Sequence, residues 1–283
     1  MEHPIEIGLD RVSVAPLLAN GSQGAPILKS VTLAIRAGEW VTLLGANGSG
    51  KSTLMKLLAG MPMQGRSGEV IRAYSREASS GAIPLVLQQP DAGLIGATPW
   101  EDVVSLLERN GGDEASVVAR AEAALHALGL GGRMKQPIET LSGGQKQLTA
   151  IAGCMAVHAP ILLLDEVTSM LDPVMSREVL DGVRRLHGDG SAVVWATQRL
   201  EELRPEDRVV CLKDGEVLFD GEANDLFRRS APGAAKSSAA ERLGMEPPYA
   251  IQVAWELMRE GVALDPLPFT AEQLAEAVQC YAG

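Results

Sequence analysis

The chain has 283 residues, 46% of them hydrophobic and 22% charged, with a formal net charge of −11. That size permits one large domain or two modest ones with a real core, and the acidic balance excludes a general binder of nucleic-acid backbones or anionic membrane surfaces. No apolar run approaches the roughly 20 residues of a membrane span, and the opening Met-Glu-His-Pro-Ile-Glu lacks the basic and apolar regions of a signal peptide. Three scattered cysteines (Cys154, Cys211, Cys280) form no CxxC pair and read as reduced thiols, and four histidines (His3, His126, His158, His187) show no metal-ligand spacing.

In chain order, Ile5–Val14 and residues 28–35 alternate apolar and polar side chains, as half-buried antiparallel strands do. Trp40–Leu44 is a short apolar strand, followed by a glycine-rich turn and a helix to about Ala59, with Gly60 and Pro62 as stops. Residues 68–74 and 84–87 suit two further strands. Helical patterns follow at 100–108, 114–128 and 143–157, broken at Gly111-Gly112 and Gly131-Gly132. Residues 161–164 form a continuous apolar run fit for a strand buried on both faces. Then come a helix at 173–187, a strand at 192–196, and a hairpin of 209–212 and 216–219 turning at Asp214-Gly215. Strands alternating with helices predict an α/β fold with a parallel-sheet core, an antiparallel β subdomain and an inserted helical subdomain.

Residues 230–240 are small and polar and read as a linker. Beyond it, Ile251, Ala254, Trp255 and Met258 share one helical face. Thr270 and Gln273 have capping-box spacing, opening a last helix with Leu274, Val278 and Tyr281 inward. About forty residues are marginal for independent folding, so the tail is expected to pack on its own domain or on another subunit.

Three motifs carry chemistry. Gly45-Ala46-Asn47-Gly48-Ser49-Gly50-Lys51-Ser52-Thr53 matches G-x-x-x-x-G-K-[ST] between a strand and a helix. Its glycines let backbone N–H groups curl around phosphates at a helix N-terminus, with Lys51 reaching the terminal phosphates and Ser52 a Mg²⁺ ligand. Asp165-Glu166 ends a buried strand; Asp165 suits the Mg²⁺ shell, and Glu166 suits the base or positioner of an attacking water. Leu141-Ser142-Gly143-Gly144-Gln145 opens a helix with capping-box spacing and accessible backbone N–H groups, a second anion site.

Together these motifs resemble the ABC ATPase family, in which LSGGQ is the signature, over about residues 3–229. The resemblance implies a P-loop NTPase (RecA-like) core that binds ATP and Mg²⁺ and works as a dimer, the signature of one subunit closing on the nucleotide of the other. It also implies a Q-loop role for Gln88, toward Mg²⁺ and a membrane partner, and a dimer-interface role for Asp172 in Ser169-Met170-Leu171-Asp172, which by itself also reads as an N-cap.

Gln88-Gln89-Pro90-Asp91, Gly96-Ala97-Thr98 and Glu101-Asp102-Val103 look like the ATPase components of energy-coupling factor transporters, cobalt-type ones included. Residues 241–283 resemble their tails, which in that family help join the two ATPase subunits. The branch implies the cytoplasmic face of the membrane as location, a second ATPase subunit (a heterodimer, with a homodimer possible), an integral membrane scaffold and a substrate-binding membrane protein. The domain plan is then an ATPase domain over 1–229 with its helical subdomain at about 89–158, a linker at 230–240 and the tail. Two departures stand out: Gln198 occupies the place of the family's switch histidine, and no aromatic precedes Trp40 to stack on adenine. They point to a slow site paired with a faster one in a different subunit. A soluble ABC ATPase of the iron–sulfur assembly kind and a slow nucleotide-sensing subunit are the alternatives.

Overall fold

The computed structural model describes residues 4–18, 21–72, 83–88, 93–157, 159–229 and 237–282. Gln89, Pro90, Asp91, Tyr74, His3, His158 and the predicted linker's first seven residues lie outside these.

β1 (Ile5–Val14) buries Ile7 and Leu9, then Val12 and Val14. The change of parity marks a bulge at Arg11, whose φ is 47°, where the pairing with β2 (Leu28–Arg36) and β4 (Arg66–Arg72) shifts register. Opposite the bulge stands Gly68 at φ 82°; a Cβ there would lie 2.5 Å from the Arg11 carbonyl oxygen. This antiparallel sheet has the order β2-β1-β4. β4 begins two residues earlier than the spacing predicts, because the bulge lets pairing continue past Gly68 to Arg66.

The second sheet has the order β5-β6-β7-β3-β8-β9, where β3 is Trp40–Leu44, β5 Leu85–Val86, β6 Ile161–Asp165, β7 Ala192–Thr197, β8 Arg208–Lys213 and β9 Glu216–Glu222. Its first five strands run parallel, and β9 returns antiparallel through the turn at Asp214-Gly215. β3, β6 and β7 are buried at every position, as a sheet covered on both faces requires. One face packs on α1 (Lys51–Leu58) and the antiparallel sheet, through Leu54, Leu58, Leu33 and Ile35. The other receives α2 (Pro99–Arg109), α3 (Glu114–Ala127), α4 (Gly143–Ala156) and α5 (Pro173–Gly188), through Leu107, Leu125, Ile151 and Val183.

The tail docks on its own chain. α6 (Ala223–Phe227), α7 (Ala239–Leu243) and α8 (Tyr249–Arg259) enclose one apolar cluster in which Phe227, Ile251, Trp255 and Phe269 meet Leu44, Val209 and Cys211 of the central sheet. Each large side chain so buried contributes about 1.5–3 kcal/mol. The predicted linker ends early: Ser238 and Glu241 form a capping box that starts α7. Two expectations for the tail fail. Met258 is 44% exposed, the neighbouring Leu257 packing on the cluster instead. In α9 (Ala271–Ala282), Leu274 and Ala277 pack, whereas Val278 and Tyr281 are exposed, because the last turns run past the edge of the cluster. The capping pair of α9 forms as expected, Gln273 N–H donating to Thr270 Oγ1 at 3.2 Å.

Candidate active site

The sheet order decides what can meet. With β7 between β6 and β3, the carboxyl ends of all three open on one edge, where ligands of open α/β sheets bind. β3 delivers the glycine turn, β6 delivers Asp165 and Glu166, β7 delivers Gln198, and β5 delivers Gln88 beside them.

The turn is built for a phosphate. Gly48 (φ 80°) and Gly50 (φ 106°) take the left-handed backbone that aims successive N–H groups inward. A Cβ on Gly50 would lie 2.9 Å from Leu28 Cδ2. α1 starts at Lys51, with no side chain capping its free N–H groups. Lys51 is buried; its Nζ donates to the Gly45 carbonyl at 2.7 Å and lies 3.1 Å from Glu166 Oε1.

A cleft of about 200 Å³ is lined by Asn47, Gly48, Gly50, Lys51, Ser52, Thr53, Gln88, Asp165 and Glu166, together with Ile27. Gly45 and Ser49 stand behind this lining, Gly45 as the acceptor for Lys51 and Ser49 as a buried side chain whose Oγ has no partner. Burial raises the Asp165 carboxyl above its ordinary pKa, a hydrogen bond with Ser52 partly opposing this. Asp165 Oδ1 is buried without a partner. A buried, unpaired carboxylate oxygen beside a hydroxyl suits a small hard cation. Among the described residues no group of three or more His, Cys, Asp or Glu could hold a metal alone. Mg²⁺ takes one or two protein oxygens and completes its shell with water and phosphate.

Glu166 adopts φ 49° and its N–H donates to the Ala196 carbonyl at 2.9 Å, which turns the side chain into the cleft. Gln198 Nε2 donates to Glu166 Oε1 and to Asn47 Oδ1, both at 2.9 Å. Gln88 Nε2 donates to Ser169 Oγ at 3.0 Å, and Ser169 Oγ donates to the Glu166 carbonyl at 2.7 Å. Gln198 also lines a second cavity of about 560 Å³, with Gly45, Ala46 and the tail residues Met245, Pro248 and Phe269.

Ser142, Gly143, Gly144, Gln145 and Asp172 do not line this cleft. Ser142 and Gln145 form the capping box of α4, Gln145 N–H donating to Ser142 Oγ at 3.3 Å. Asp172 caps α5, accepting from the Val174 and Met175 N–H groups at 3.0 Å. Sequence reasoning missed Ile27, the sole apolar side chain among the described lining residues. It is 38% exposed, and nothing but its place after Pro26 at the start of β2 signals it.

Known proteins agree with this geometry. The ABC transporter family profile matches residues 28–169. The chain is 35% identical over 257 residues to the energy-coupling factor transporter ATP-binding protein EcfA1 of Geobacillus kaustophilus, covering 88% of this chain and 89% of that one. To EcfA1 of Symbiobacterium thermophilum it is 37% identical over 259 residues, covering 89% and 88%. Among solved structures, CbiO1 from Clostridium perfringens, part of the ABC transporter complex cbiONQ, superposes with a TM-score of 0.67 at 28% identity, over 79% of this chain and 90% of that one. The ATP-binding cassette MJ0796, in a dimeric post-hydrolysis state bound to ADP and phosphate, gives 0.65 at 28% identity over 77% and 98%.

Proposed function

Because the chain belongs to the ABC transporter family, and within it to the energy-coupling factor transporter ATP-binding proteins, we propose that its cleft binds Mg·ATP and that hydrolysis there energises a membrane importer of a micronutrient, a vitamin or a transition-metal ion. The carrying observation is the meeting of Lys51 and Gln198 on the single carboxylate of Glu166.

In this reading Lys51, the backbone N–H groups from Gly48 to Thr53 and the start of α1 hold the phosphates. Ser52 and Asp165 would hold Mg²⁺, with Gln88 beside them, and the bound ion would neutralise charge developing on the transferred phosphoryl group. Glu166 accepts a proton from, or orients, the attacking water. To do so it gives up Lys51, whose ammonium turns to the phosphate. Gln198 then supplies a neutral N–H donor at the γ-phosphate, weaker than a charged one.

The other half of each site comes from a second ATPase subunit. Ser142–Gln145 stand away from their own cleft, so the backbone N–H groups at the start of α4 serve the partner's nucleotide, with Asp172 at the interface. We read residues 1–229 as the ATPase domain, 89–158 as its helical subdomain, and the exposed end of α9 as a contact to that second subunit. No helix among the described residues is long and apolar enough to cross a membrane; attachment runs through an integral membrane scaffold and a substrate-binding membrane protein, at the cytoplasmic face.

With Gln198 at the switch and no aromatic before Trp40 to stack on adenine, this chain's own site is the slower of a heterodimeric pair. The test is a pull-down from detergent-solubilised membranes followed by reconstitution. A second ATPase and integral membrane proteins should co-purify, and Glu166→Gln here should lower turnover less than the matching change in the partner. Equal losses overturn the asymmetry, and recovery of soluble partners alone overturns the transport reading.

A further inference from the structure

Beneath the cleft, a buried carboxylate with no part in the steps above ties two catalytic loops together. Glu202 ends a short 3-10 turn, Leu200–Glu202, and its side chain is 7% exposed. Its Oε1 accepts from Thr168 Oγ1 at 2.6 Å and its Oε2 accepts from Trp195 Nε1 at 2.8 Å. Arg199 Nη1 lies 3.7 Å away and itself donates to the Thr168 carbonyl at 3.3 Å and to Ser176 Oγ at 2.9 Å. Thr168 and Trp195 are each 1% exposed. One carboxylate therefore grips the loop two residues after Glu166 and the strand three residues before Gln198.

Burying a carboxylate is costly, and an apolar side chain of similar volume would usually serve stability as well or better. What a carboxylate adds is direction: two acceptor oxygens that fix two donors relative to each other. The two groups so fixed carry Glu166 and Gln198, whose side chains touch at 2.9 Å. Glu166 holds a left-handed backbone that its surroundings must enforce, and the loop on its carboxyl side is the part Thr168 anchors.

We propose that Glu202 is a positioning residue for ATP hydrolysis, setting the spacing between Glu166 and Gln198 from below the site. This rests on the reading that Glu166 handles the attacking water.

The full-length chain supplies the test, assembled with an ATPase partner that carries the change matching Glu166→Gln, so that turnover reports this chain's own site. Glu202→Ala should lower kcat about ten- to a hundred-fold, the scale of a small misplacement of catalytic groups. ATP affinity should stay within about two-fold, because the phosphate-binding residues are untouched. Glu202→Gln should restore kcat to within about three-fold, its carbonyl accepting from Trp195 and its amide donating to the Thr168 hydroxyl. On a Gln198→Ala background, Glu202→Ala should add little, since the spacing it sets no longer matters. If Glu202→Ala folds poorly, Thr168→Val and Trp195→Phe each remove one tie and should each lower kcat at unchanged ATP affinity.

Fully additive losses from Glu202→Ala and Gln198→Ala, or a fall in kcat matched by a fall in bound ATP, would overturn the proposal. Glu166→Gln, run in parallel, separates the two readings. If it stops turnover while Glu202→Ala does not, the positioning role alone falls; if turnover survives it, the reading of Glu166 falls and this proposal with it.

Discussion

Gln198 Nε2 donates to Glu166 Oε1 at 2.9 Å, joining the loop after β7 to the loop after β6 across the mouth of the cleft. The pairing gives the switch position a neutral donor. Removing it in Gln198→Ala should lower kcat about 10²-fold, the cost of losing one well-placed donor in a preorganised site. Gln198→His should exceed the parent at pH 6 and lose that advantage by pH 8, because an imidazole with an ordinary pKa of about 6.5 carries charge only below it. Steady-state ATPase of this chain's own site, with the partner's site inactivated, checks both at the two pH values.

Asp165 opposes stability for the sake of binding. Burial raises its folded-state pKa, so between the unfolded and folded values the folded chain binds more protons, and stability falls as pH rises through that window. The penalty is present in full only above the raised value. Asp165→Asn should therefore raise the melting temperature of nucleotide-free protein by about 2–4 °C. The same change should abolish the Mg²⁺-dependent part of the stabilisation by ATP. Thermal unfolding with and without Mg²⁺ shows whether the two effects run in opposite directions.

The tail is clamped by Arg229. Its guanidinium pairs with Glu241 at 2.6 Å and stacks 3.5 Å over the ring of Trp255. The hydrogen bond from Arg229 holds Glu241 down at about 2, so the pair stabilises above the ordinary value near 4.5 and is lost as pH falls toward 2. Arg229→Ala should lower the melting temperature by about 2–4 °C at pH 7. The gap to the parent should narrow as pH falls below about 4, with the Trp255 contact leaving a remainder.

Ile27 faces the same cleft as the phosphate-binding turn and is partly open to solvent. A base resting on it would cover aliphatic surface without a hydrogen bond that reads the ring. Ile27→Ala should weaken ATP binding about three- to ten-fold, the value of one or two lost methylene contacts. GTP should bind within a similar factor of ATP. Equilibrium binding of the two nucleotides to parent and variant measures both effects.

Much of this was legible in the residues. The alternation of β1, the short apolar strand β3, the unbroken apolar run of β6, and the cap signals at Ser142, Asp172 and Thr270 are local, and each became the element its pattern describes. The Gly45–Thr53 turn, Asp165-Glu166 and the neutral Gln198 could be named before any geometry, because spacing and residue type carry their chemistry. What stayed hidden depends on distant chain. The insertion of β7 between β6 and β3, which brings Gln198 onto Glu166, is a matter of sheet order. Ile27 lines the cleft only because β2 begins beside the glycine turn. Small residues before Ser238 hid a capped helix, and the exposure of Met258, Val278 and Tyr281 follows from where the apolar cluster stops.

The most direct measurement is ATP binding, dimerisation and turnover by Glu166→Gln in one set of samples. ATP binding should persist, since Lys51, Ser52 and the turn remain; ATP should drive two ATPase subunits together into a lasting dimer, and this chain's own site should lose turnover by about 10²-fold or more. Undiminished turnover at this site, or ATP bound with no association of subunits, would contradict a shared site completed by Ser142–Gln145 and worked by Glu166.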